Sequence, residues 1–172
     1  MSERNHSTKK LTILALFTTI SLAIHMAESM LPPIVPLPGI KLGFANIITL
    51  IVLLNFSPKD AFLVSITRIL LASIFAGSGI TLIYSLLGAM LSLVAMIFMN
   101  RLLHKKYIYI TSIIGALFHN TGQILAAILL TSTPYIAVYL PILMISGIIT
   151  GIFTGFCAYY ANKYLPFITS QT

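Results

Sequence analysis

Charge is what this chain has least of. Ten lysines and arginines and three acids are all the formal charge that 172 residues carry, about 8% against roughly a quarter in an average soluble domain. With 58% hydrophobic residues and a mean hydropathy of +1.02, there is too little polar surface to clothe a water-soluble fold. The acids are Glu3, Glu28 and Asp60. A lone aspartate cannot supply the paired carboxylates that hold Mg²⁺ on a diphosphate, so a metal-dependent prenyl-transfer centre is not expected. There is no Gly-x-x-x-x-Gly-Lys-Ser/Thr element, which excludes ATP hydrolysis by a phosphate-cradling loop. His6, His25, His104 and His119 lack the close spacing of a zinc site. The single cysteine, Cys157, rules out an intramolecular disulfide, and no Ser-His-Asp or Cys-His set can be assembled. The reading is a non-enzyme without cofactor or metal.

The net charge of +7 would suit a nucleic-acid binder if it were clustered on one face. Instead the basic residues fall in the gaps between apolar runs. Those runs are roughly 11–31, 40–56, 61–76, 80–99, 107–130 and 136–161, each near the roughly 20 residues that a bilayer crossing needs. The fold class expected is therefore all-α: one integral membrane domain over 1–172, a polytopic bundle of six transmembrane helices. With the N-terminus inside, the inner segments hold Arg4, Lys9, Lys10, Lys59, Arg101, Lys105, Lys106 and Lys163, and the outer segments hold only Lys41. That asymmetry is the positive-inside pattern and places both termini in the cytoplasm. The basic start followed by Leu11 to Ile24 also has the look of a signal peptide, but no small-x-small cleavage site follows it. After the first run, four prolines between Pro32 and Pro38 prescribe a stiff extended segment. It can serve as a lid over an outer cavity or as an interfacial connector.

Polar groups inside apolar runs are costly, and so face a bundle interior, a partner or a cavity. Thr18, Ser21, His25 and Glu28 recur at steps of three and four, on one face of the first helix. On the second run, Asn46 and Thr49 follow Gly43 at three-residue steps, and Lys41 opens it on the same side as Glu28. A Glu28–Lys41 pair across the outer mouth is one expectation, and snorkelling of Lys41 to the interface is the other. Arg68 lies deep within the third run, where its counter-charge is Glu28, a helix C-terminus or an anionic ligand; a structural strut and a ligand contact are both open. The fourth run aligns Thr81, Ser85, Gly88 and Ser92, and the fifth aligns Ser112, Ala116, His119 and Gln123 with Asn120 beside them. Small residues step by four at Ala15, Thr19, Ala23 and Ala27 and again at Gly147, Gly151 and Gly155, a spacing that lets another helix backbone approach.

Glu28, the Pro-rich segment from Leu31 to Gly39, the run Lys41-Leu42-Gly43-Phe44-Ala45-Asn46-Ile47 and Arg68-Ile69-Leu70-Leu71 together resemble the bacterial Gx transporter family, also labelled heptaprenyl diphosphate synthase component I, over nearly the whole chain. In size and helix number it is similar to the substrate-binding S components of energy-coupling factor (ECF) transporters. That likeness implies a multi-pass protein of the bacterial cytoplasmic membrane, with an outward-facing site capped by the loop after the first helix. It also implies a separate ATPase module docked on Ala15, Thr19 and Ala23. None of the substrate signatures of the vitamin-specific members is present, and there is no tryptophan.

The function expected is a membrane-embedded component that binds a small anionic or vitamin-like metabolite for uptake. Glu28, Lys41, Asn46, Arg68, His119 and Gln123 are the candidate ligand-binding residues, and the partners are the lipid bilayer, an anionic small molecule and the ATPase module. The alternative is a non-catalytic membrane subunit associated with polyprenyl diphosphate and quinone synthesis or with an electron-transfer assembly. A self-sufficient proton-coupled carrier using Glu28 and His119 is a third reading, weakened by the lack of an internal repeat.

Overall fold

Apolar residues face outward over most of this protein. In the computed structural model, which describes residues 2–31, 41–76, 79–103 and 107–164, Ile74, Val94, Phe98, Ile145 and Ile149 are all exposed, while Thr18, Ser21, His25, Glu28, Arg68, Asn120 and Gln123 are buried. That is the reverse of a water-soluble fold and suits a hydrocarbon solvent.

The described residues form six α-helices and no strand: α1 (Ser2–Ser29), α2 (Asn46–Asn55), α3 (Pro58–Ala76), α4 (Gly79–Leu103), α5 (Ile108–Thr131) and α6 (Leu140–Tyr164), with a short 3₁₀ helix, Pro134–Tyr139, leading into α6. Four stretches are long and apolar enough to cross a membrane: Thr8–Ser29, Gly79–Leu103, Ile108–Thr131 and Pro134–Tyr164. The other two expected spans differ. The run 40–56 is helical only over the 10 residues of α2, about 15 Å or half the thickness of a hydrocarbon core. Every residue from Asn46 to Leu54 is buried, so α2 is apolar all round because the other helices surround it. Helix α3 has 19 residues but carries Lys59, Asp60 and Arg68. The Pro-rich lid or connector expected at Pro32 to Gly39 lies outside the described residues, as do the basic residues Lys105 and Lys106.

Local chemistry explains the boundary between α2 and α3. Phe56 N–H donates to Val52 O and closes α2. Ser57 then caps α3: Asp60 N–H donates to Ser57 Oγ at 3.2 Å, and Ser57 N–H donates to Asp60 Oδ2 at 3.0 Å. With Pro58 at the first helical position, this is a reciprocal capping box. Lys10 Nζ reaches the same Asp60 oxygen at 2.8 Å, which puts the third turn of α1 beside the start of α3. At the far end of α5, Ser132 adopts the left-handed conformation (φ 53°) and ends the helix, as a C-terminal cap does.

Backbone contact joins α4, α5 and α6. A Cβ placed on Gly122 of α5 would lie 2.6 Å from Leu87 O of α4. One on Gly151 would lie 2.6 Å from Ile113 Cα, and one on Gly155 would lie 3.0 Å from Tyr109 Cα. The glycine stripe of α6 is therefore filled by α5 of the same chain. Ser112 and Thr154 hydroxyls add a 2.6 Å bond across that contact, and Asn120 Nδ2 donates to Leu143 O. Helix α1 behaves differently: Ala15, Thr19, Ala23 and Ala27 are exposed, and α1 packs through its opposite face on α2 and α3.

Two apolar clusters result. One gathers Leu14, Phe17, Leu50, Leu54, Val64, Met96 and Ala158 around α2; the other gathers Tyr84, Ile124, Ala127, Ile136 and Leu143 between α4, α5 and α6. The polar groups of α1, α3 and α5 lie between them.

Burial opposes the Asp60 charge, but the hydrogen bonds from Lys10 and Ser57 outweigh it and hold the carboxyl below its ordinary range. A carboxyl whose value is lower in the folded protein contributes stability above the unfolded value, about pH 4, and loses it as pH falls through the folded value. Thermal unfolding in detergent is expected to show an acid-side loss of stability that Asp60→Asn diminishes. Ser57→Ala, which removes the cap, is expected to destabilise by about 1 kcal/mol at neutral pH.

Candidate functional site

The site begins at Glu28, three residues after His25 on the buried face of α1. Its carboxylate accepts from Gly43 N–H at 2.6 Å and Phe44 N–H at 3.2 Å. These amides belong to the turn that opens α2, whose first bonds run from Asn46 N–H to Gly43 O and from Ile47 N–H to Phe44 O. A carboxylate there satisfies amides that the helix cannot and sits at the positive end of its dipole. Ser21 Oγ donates to Ala45 O at 3.3 Å, a second tie between α1 and this turn.

Gly43 has φ +83°, a conformation that side chains disfavour. A Cβ there would also lie 2.8 Å from His119 Cδ2, and one on Gly88 would lie 2.9 Å from His119 Cε1. The imidazole of His119 is thus held between the backbones of the α2 turn and α4. No side chain larger than hydrogen fits at either position without displacing the ring.

Lys41 does not pair with Glu28. Its Nζ stands 2.9 Å from His25 Nε2 and donates to Ser29 Oγ, so of the two expectations neither a direct Glu28–Lys41 bridge nor snorkelling to the interface is found; the ammonium turns inward to an imidazole, while the Glu28 oxygens point at the Gly43 and Phe44 amides. Arg68 makes a parallel choice. Ten residues beyond Pro58, about 15 Å along α3, and 2% exposed, its Nη1 lies 3.1 Å from His25 Nδ1 while its Nε has no partner. Lys10 and Asp60 form an ion pair at 2.8 Å, whereas no carboxylate oxygen of the described residues is found within 4.0 Å of Lys41 or Arg68. Two cations therefore converge on the two nitrogens of His25, and neither has a carboxylate in direct contact.

A cavity of about 10 Å³ lies at this convergence, lined by His25, Glu28, Lys41, Gly43, Ala45, Asn46, Arg68, Ser85, His119 and Gln123. That leaves room for roughly one water molecule. A metabolite enters only if side chains or helices move apart. All six residues singled out from the sequence, Glu28, Lys41, Asn46, Arg68, His119 and Gln123, border it. Ser112 and Asn120 do not; they bind α6. Of the fourth-helix face, Ser85 lines the cavity and Gly88 supports His119. His25 stood in the polar stripe of α1, and its spacing was the signal that it shares Glu28's face; its place as the hub between two cations carries no mark in the sequence. Gln123 Oε1 is buried without a partner. No group of three His, Cys, Asp or Glu side chains suited to a metal occurs among the described residues.

The family described as heptaprenyl diphosphate synthase component I matches residues 17–161. The chain belongs to that family. Matched positions run from Phe17 in α1 to Ala161 in α6 and include every residue around the cavity. No curated protein matches the chain, and no solved structure matches it.

The Gly43–His119 contact gives a direct test. Gly43→Ala combines a strained backbone, about 1–2 kcal/mol, with an overpacked ring, typically 1–3 kcal/mol. It is expected to lower the melting temperature of the purified protein by several degrees. Gly79→Ala, where an added Cβ meets nothing within 4 Å, is the control and is expected to change it little.

Proposed function

We propose that this protein is the membrane-embedded binding component of an uptake system for a small anionic metabolite, energised by a separate ATPase module. The observation that carries the reading is the unbalanced cation pair: Arg68 and Lys41 converge on one neutral ring while Glu28 serves backbone amides. Two cations share the field of one carboxylate that bonds to neither, which leaves the site one positive charge in excess; buried charge in excess is costly, and a ligand carboxylate or phosphate would relieve that cost with charge-assisted hydrogen bonds. Asn46, His119 and Gln123 offer neutral donors and acceptors for the rest of the ligand.

In this reading the chain is non-catalytic and sits in the bacterial cytoplasmic membrane with both termini in the cytoplasm. All six helices form the membrane bundle, with α2 as a half-length internal helix and α3 tolerated because its charges face inward or lie at its end. Half-length helices that start at mid-depth are a recurrent way to build transporter sites. The outward face of α1 with Ala15, Thr19 and Ala23 is where the ATPase module would dock.

The words of the family description suggest a second reading, a non-catalytic membrane subunit associated with polyprenyl diphosphate and quinone synthesis or with an electron-transfer assembly. The two differ in what leaves the membrane with the protein. Mass spectrometry after gentle extraction from the native host is expected to recover an ATPase module or an anionic metabolite; a prenyl synthase recovered without any ligand would favour the second reading. Arg68→Ala is expected to insert normally and to weaken ligand retention by at least about 30-fold, the lower end of losing one partner of a buried charge contact. Unchanged retention in a well-folded Arg68→Ala protein would remove Arg68 from the site.

A further inference from the structure

His25 poses a counting problem. Ammonium and guanidinium groups donate hydrogen bonds and accept none, and a neutral imidazole has one lone pair to offer and one N–H. Lys41 Nζ lies 2.9 Å from Nε2 and Arg68 Nη1 lies 3.1 Å from Nδ1. Both donors cannot be satisfied at once. A protonated ring would make matters worse, presenting N–H groups to both cations and adding a third positive charge.

The surroundings decide which donor takes the lone pair. Arg68 is buried and permanently charged, its Nε has no partner, and His25 Nδ1 is the acceptor found for it among the described residues. Lys41 is only partly buried and has Ser29 Oγ as a second acceptor. Giving Nδ1 to Arg68 leaves the proton on Nε2, pointing at an ammonium.

We infer that Arg68 holds His25 as the Nε2–H tautomer, and that Nε2–H and Lys41 Nζ together donate to the anionic group of the ligand. This rests on the reading of the cavity as an anion-binding site and names a further binding atom within it. Without ligand, two donors face each other at the edge of a cavity of about 10 Å³. An anion resolves the conflict by accepting from both, and Lys41 swings aside to admit it. His25 is thus a ligand contact as well as the residue that orients Arg68. The chemistry selected is a compact group with at least two acceptor oxygens, a phosphate, diphosphate or carboxylate, rather than a neutral hydroxyl.

The test uses the full chain in lipid nanodiscs with ¹⁵N-labelled histidine, His25 being assigned by the signals lost in His25→Gln. Inorganic phosphate and pyrophosphate are the probes, and melting temperature is followed in parallel, since a binder is stabilised as ligand exceeds its dissociation constant. The expected result is a protonated Nε2 and an unprotonated Nδ1 before addition. Pyrophosphate then shifts the Nε2 signal and raises the melting temperature, and Lys41→Gln weakens that binding at least tenfold. A proton found on Nδ1 overturns the inference. So does a melting temperature that rises while the Nε2 signal stays fixed, an outcome that leaves the anion-binding reading standing. If neither probe moves the signal or the melting temperature, the inference and the anion-binding reading fall together.

Discussion

A guanidinium held at mid-depth in an apolar bundle is the constraint around which the rest of this structure is arranged. Arg68 cannot shed its charge, and from its place in α3 neither end of the helix is close. The cavity beside it has room for about one water molecule, so the protein must surround the charge with groups of its own. It does so with His25 from α1, and His25 in turn draws Lys41 toward the same ring. The buried stripe of α1, the turn before α2 and the polar face of α5 converge because each supplies polar groups to one interior location between two apolar clusters.

Glu28 shows how charge and backbone geometry are tied together. It is the one acidic side chain at the cavity, and a simple balance would set it against Lys41 or Arg68. The turn at Gly43 and Phe44 claims it instead, because two amides at the start of a helix cut to half the usual length have no other acceptor. The short helix fixes the carboxylate, and the fixed carboxylate faces two cations without bonding to either. The positive φ of Gly43 and the ring of His119 packed against it belong to the same joint.

The helical class and the outward apolar surface were legible in the sequence because composition and run length carry them directly. So was the α1 stripe, since Thr18, Ser21, His25 and Glu28 need only a helical period to share a face. That reasoning, with Arg68 and the α5 pair His119 and Gln123, brought six residues to the rim of one cavity. It missed the length of α2, because an unbroken apolar run is equally suited to a membrane span and to a short helix buried on every side. It offered Lys41 only a pair with Glu28 or a place at the interface, because backbone amides compete for carboxylates without leaving any trace in the residue types. The neighbour of the glycine stripe on α6 was open for a similar reason: spacing announces a close approach and is silent on which helix makes it.

The glycine contacts that join α4, α5 and α6 have a mechanical meaning. Where backbone meets backbone there are no side chains to change rotamer, so little can slide without breaking the contact altogether. These three helices form a stiff wall. The helices facing it, α1 to α3, are held to one another by a few hydrogen bonds, the Lys10–Asp60 bridge and interdigitated aliphatic side chains, all of which tolerate small displacements. Ser85, His119 and Gln123 stand on the stiff side of the cavity, and His25, Lys41 and Arg68 on the compliant side. In the proposed binding role, a cavity that swells around an anion would push first on the compliant half, and α1, with its small-residue face turned outward, is the helix of that half whose displacement would be felt outside the bundle.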